Sequence, residues 1–182
     1  MLFLAVAPQA AGQDPERPPT AADAPPPNLK GRNPRPRGAI PAVLAAFDRY
    51  DIVGMPEAHG MKDVDDFILS LIRHPDFPRK VNDIAVECGN SLYQPILDRY
   101  FAGENVPFTE VSVVWRNTTQ PMCSLSGFFQ LLFPFVRKIN ATLPAGEKLR
   151  VLAGDSPIDW DEVKTQAASG RSTWTETAAL PR

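Results

Sequence analysis

The chain reads as an α/β protein in which a mostly parallel sheet is flanked by helices in three layers. Three observations predict this. Short apolar runs suited to strands, at 51–55, 83–88 and 148–153, alternate with amphipathic helical stretches. Such alternation builds βα units, whose sheet needs cover on both faces. The length, 182 residues, suits one domain of ordinary size.

Taken in order, residues 1–12 place a short apolar stretch before the small residues Ala10 and Gly12. That pattern resembles the back half of a secretory signal without its basic start, and predicts an exported protein, periplasmic or extracellular. Residues 13–40 are rich in Pro, Ala and charge, as in Pro25-Pro26-Pro27 and Pro34-Arg35-Pro36-Arg37. This composition buries too little apolar surface to offset its ordering entropy, so a disordered linker is expected.

Order is expected from Pro41, a good first-turn residue, with Val43, Leu44, Phe47 and Tyr50 on one helical stripe. Asp51–Met55 is the first expected strand. A helix then runs from about Lys62 to His74 on Val64, Phe67, Ile68, Leu71 and Ile72, and His74-Pro75 stops it. The second strand is Asp83–Cys88, ending at Gly89-Asn90. The helix through Leu92, Ile96, Leu97 and Tyr100 tolerates its early Pro95 and ends at Gly103. Thr109–Arg116 fits helix or strand. The most apolar segment, Phe128–Ile139, predicts a buried helix bent at Pro134. Lys148–Ala153 is the third strand, and a helix starts near Asp161.

Three strands are few for this architecture, and they leave an exposed edge. The helix at 128–139 has apolar residues nearly all round, a pattern that belongs in a larger core. The domain at 41–168 is therefore expected to be incomplete at its C-terminus and poorly soluble alone. Residues 169–182 read as an irregular tail.

Acidic and basic residues nearly cancel, with a net charge of −2, so no electrostatic footprint for nucleic acid is present. No apolar run reaches the ~18 residues of a membrane span. Two cysteines are too few for a disulfide framework. Cys88 reads as a small buried hydrophobe, Cys123 lies in a loop, and their pairing is open.

All three expected strands end in acids: Glu57 together with His59, then Glu87, then Asp155. In a parallel sheet those carboxyl ends share one edge, where open α/β sheets bind ligands. Glu57 and His59 lie two apart and can point the same way from an extended turn. Carboxylates held close raise one another's pKa into a range useful for acid–base work, and His59 supplies a base already near it. Asp and Asn are ordinary turn residues at strand ends, but Glu is not a turn former. Asp155 and Asn90 at the same edge are the candidate substrate contacts.

Other signals carry less. Gly154-Asp155-Ser156 resembles the nucleophile block of a lipase and esterase family, but that block sits near the N-terminus and needs a late Asp-x-x-His, absent here. His74 reads as a helix-end residue. Asn117-Thr118-Thr119 and Asn140-Ala141-Thr142 are glycosylation sequons only in a eukaryotic secretory context. Trp115-Arg116 fits packing better than ligand stacking.

Pro56-Glu57-Ala58-His59-Gly60, Asp83-Ile84-Ala85-Val86-Glu87-Cys88-Gly89-Asn90, Asp98-Arg99-Tyr100 with Gly103-Glu104, and Arg150 through Trp160 together resemble the erythromycin esterase-like, ChaN-like and Tiki superfamily. The likeness is greatest to an exported bacterial branch and covers about Val43 to Lys164. It implies an α/β fold and a hydrolase acting on a small-molecule or peptide substrate. On that likeness His59 would activate water, Glu57 would be its partner and Glu87 the second carboxylate. Tiki-like members imply a divalent metal, for which His59, Glu57 and Glu87 would be the ligands. ChaN-like members imply haem, and hence a binding protein without turnover as the alternative. Two departures stand out. Pro56 occupies a position where the family pattern has Gly, and the family's second histidine on a later strand is missing, so the product could be an inactive fragment.

Overall fold

A computed structural model describes residues 35–55, 60–120 and 122–169. The expected leader, most of the linker, Glu57, His59 and the tail beyond Ser169 lie outside the described residues. Within them the elements run α1 (Ala39–Ala46), α2 (Lys62–Arg73), α3 (Phe77–Lys80), β1 (Asp83–Asn90), α4 (Gln94–Ala102), α5 (Phe108–Arg116), α6 (Phe128–Asn140), β2 (Arg150–Asp155) and α7 (Trp160–Ala168). Short 3₁₀ turns lie at Ser91–Tyr93, Cys123–Leu125 and Ala145–Glu147. Among the described residues no helix is long and apolar enough to cross a membrane.

β1 and β2 pair in parallel, with Ile84 opposite Val151, Val86 opposite Ala153 and Asn90 opposite Asp155. Parallel neighbours need a long crossover, and α4, α5 and α6 supply it. Ile84, Val86, Cys88 and Val151 are buried in one core with Leu97, Phe101, Val111, Trp115, Phe129 and Phe133 from those helices. Its aromatic centre is built edge-to-face, with ring centroids 5.4 Å apart for Trp115–Phe133 and 5.7 Å for Phe101–Phe133.

The chain is thus mixed helix and strand with parallel pairing, so the sequence and the described residues agree to that extent. The first expected strand is where they differ. Asp51–Met55 forms no strand and joins no ladder, so the described sheet has two strands. Ile52 is 70% exposed, and an apolar cavity of about 340 Å³ separates this segment from β1. A short apolar run becomes a strand only through a partner's hydrogen bonds, and β1 does not offer them here.

Thr109–Arg116 resolves as helix. Val111, Val114 and Trp115 are fully buried at i, i+3 and i+4, and that packing outweighs the β-branched composition. In α6 the apolar surplus sorts to one side. Phe128, Phe129, Leu132, Phe133 and Val136 are buried against α2 and α4, Phe135 is half-buried, and Leu131 is 61% exposed. The expected shortage of cover for this helix is therefore not found. Pro134 lies exposed inside it, where the missing N–H falls on the solvent side. Gly103 closes α4 in the left-handed region, with φ of 107°, a conformation that costs glycine least.

The outer edge of β2 is satisfied by a side chain. Gln94 donates from Nε2 to the Val151 carbonyl and accepts from the Ala153 N–H, at 2.9 and 2.8 Å. One amide thereby stands in for a neighbouring strand and blunts an edge that would otherwise be open.

Asp65 in α2 has a buried Oδ1 with no hydrogen-bond partner among the described residues. Burial first, then the Asp66 charge, raises its pKa, with Lys62 opposing. Its protonated form is therefore favoured in the fold, and that contribution is lost as pH rises through the folded pKa. Relative to Asp65→Asn, wild type should lose stability as pH climbs from strongly acidic toward neutral. Urea melts of both proteins across that range check this, and a difference independent of pH would contradict it.

Candidate functional site

The parallel pairing sets Asn90 opposite Asp155 at the carboxyl end of the two-stranded sheet, with Glu87 three residues earlier in β1. Two glycines let the strands approach there. A Cβ on Gly89 would lie 2.8 Å from the Ala153 Cα, and one on Gly154 would lie 2.8 Å from the Val86 carbonyl oxygen. Backbone atoms cannot yield as a flexible side chain would. Gly154→Ala should therefore part the strands at this end and cost about 2 kcal/mol, the scale of overpacking. Chemical denaturation measures the loss, and an unchanged midpoint would contradict it.

Asn90 is fully buried. Its Nδ2 donates to the carbonyls of Asn117 (2.7 Å) and Ile158 (2.8 Å), while its Oδ1 accepts from the N–H groups of Leu92 (3.0 Å) and Ile158 (3.2 Å). All four hydrogen-bonding positions of the amide are occupied by backbone. Asp155 is half-buried, and its carboxylate accepts from the Thr119 N–H at 2.7 Å, the Thr119 hydroxyl at 2.7 Å and the Ser156 N–H at 2.9 Å. In this state both residues expected to meet substrate are engaged in holding the chain.

What they hold is the connection from α5 to α6. Asn90 fixes it at Asn117, whose own side chain donates to the Tyr93 hydroxyl. Asp155 fixes it at Thr119. Cys88, at the end of β1, forms a disulfide with Cys123, their Cα atoms 5.4 Å apart. Cys88 is buried as its apolar strand pattern predicts, but as half of a disulfide. Neither Gln94 nor Thr119 stands out in the sequence, where Gln94 precedes a helix proline and Thr119 completes a sequon.

Glu87 differs from its neighbours. It lies within β1 rather than past its end, is half-buried, and has no hydrogen bond or ion pair among the described residues. Strand alternation sets it on the face shared with Ala85, away from the buried Val86 and Cys88. It is the carboxylate at this edge that remains uncommitted. Glu57 and His59 lie outside the described residues, between Met55 and Gly60. Among the described residues no group of three His, Cys, Asp or Glu is placed to hold a metal ion. His74 ends α2, where its Nδ1 accepts the Asp76 N–H at 3.2 Å. No family model matches the chain, and neither a curated protein nor a solved structure matches it.

Proposed function

We propose that the protein is an exported hydrolase of the erythromycin esterase-like superfamily, cleaving an ester or amide in a small-molecule or peptide substrate. His59 takes a proton from water, Glu57 orients the imidazole, and Glu87 stabilises the charge that develops on it. The observation that carries this reading is Glu87, a half-buried carboxylate without a partner among the described residues, at the carboxyl edge of a parallel sheet. Unspent acidic groups at such an edge suit proton transfer, while Asn90 and Asp155 keep the surrounding chain rigid. The Cys88–Cys123 disulfide supports the exported location, since such bonds persist in oxidising compartments.

Both cysteines are consumed by that bond, so a metal at this edge would draw on His59, Glu57 and Glu87, and a haem on His59. Hydrolysis of p-nitrophenyl acetate and butyrate by the purified protein, with and without chelator, tests the enzyme. His59→Ala and Glu87→Gln should each lower kcat about a hundredfold, in the range of general acid–base contributions. Activity unchanged in both variants would sink the proposal. A haem complex seen by absorbance and lost in His59→Ala, without hydrolysis, would favour the binding protein instead.

A further inference from the structure

The cavity beside β1 has walls that the hydrolase reading does not use. It encloses about 340 Å³ between Phe47 of α1, Val53 and Met55 of the unpaired segment, Leu71 of α2, and Ala85 and Leu152 of the two strands. These walls are apolar, and the volume falls in the range of small-molecule sites. Scaled from a 150 Å³ cavity that takes benzene, it would hold about a dozen heavy atoms.

Two carboxylates belong to the same cavity, Asp51 at the start of the unpaired segment and Asp83 at the start of β1. Both are exposed, and neither has an ion pair or hydrogen bond among the described residues. Among the described residues no basic residue lines the cavity. Lys80 and Arg79, close to Asp83 in sequence, are paired with Asp48 and Asp76, and Arg150, opposite Asp83 in the sheet, is paired with Asp98. The apolar interior thus has negative charge at its boundary and, among its described lining residues, no cation to neutralise it.

We propose that this cavity binds a small amphiphilic cation, with an alkyl or aryl body inside and an ammonium head against Asp51 and Asp83. An anionic head would meet two unneutralised carboxylates and be repelled. A neutral one would gain burial without the charge contact. Glu87 is not among the cavity's described lining residues, so variants of Asp51 and Asp83 test the proposal without touching that carboxylate.

The test is calorimetric titration of the full chain with octyltrimethylammonium and, separately, with octanoate, which has a tail of similar length and the opposite charge. The cation should bind saturably and at least tenfold more tightly than octanoate, and should weaken as salt is added. The double variant Asp51→Asn/Asp83→Asn keeps side-chain volume at exposed positions, so its fold should survive, and a circular dichroism melt checks that it does. It should bind the cation about tenfold more weakly and lose the preference. No saturable binding of the cation, equal affinity for octanoate, or a double variant that binds the cation as wild type does would each overturn the proposal.

Discussion

Asn90→Ala should destabilise the fold by about 4 kcal/mol, read as a shift of the urea midpoint at unchanged slope. The substitution removes one side chain and strands four backbone groups, at Leu92, Asn117 and Ile158, the last of which loses both its N–H and its carbonyl partner. Each buried group left unsatisfied costs on the order of 1–3 kcal/mol, and water entering the space left behind recovers part of the sum. Asn90→Asp should also destabilise, because a carboxylate cannot donate to the two carbonyls. A midpoint shift under 1 kcal/mol in Asn90→Ala would mean that the amide is not the fastener its geometry describes.

The double variant Cys88→Ala/Cys123→Ala should lose about 4 kcal/mol. The bond closes a loop with a sequence separation of 35, and the chain-entropy estimate for a loop of that size gives this figure. For a chain of this length the loss corresponds to a fall in Tm of roughly 10 °C. Both cysteines are about 1% exposed, so reductant acts slowly on the native protein and the variant is the cleaner comparison. Thermal melts of the variant and the oxidised wild type that superimpose would refute the estimate.

These two cases show how far the sequence could be read. Helices α2, α4 and α6 and both strands follow from local patterns, since burying one face leaves a periodic trace in the residues that do it. Asp51–Met55 has the composition of a strand but no ladder, because pairing is a property of the neighbour and not of the run. Phe128–Ile139 looks apolar on all sides because Phe135 and Ile139, half-buried, and Leu131, exposed, count in composition as core. The sequence brings Asn90 and Asp155 to the sheet edge correctly, yet cannot show that Thr119 and the backbone of Asn117 and Ile158 already occupy them. Those partners lie 27 to 68 residues away. The disulfide is hidden for the same reason, since only the excursion through α4 and α5 brings Cys123 back to Cys88.

That excursion also divides the molecule in an unusual way. The peptide bond between Thr119 and Gln120 has β1 with helices α1 to α5 on one side, and α6, β2 and α7 on the other. A single proteolytic nick there would yield two fragments, each contributing one strand to the sheet and neither owning it. Cys88 belongs to the first fragment and Cys123 to the second. The nicked protein would therefore migrate as one covalent species until reduced and denatured, as a native heterodimer made from a single gene product.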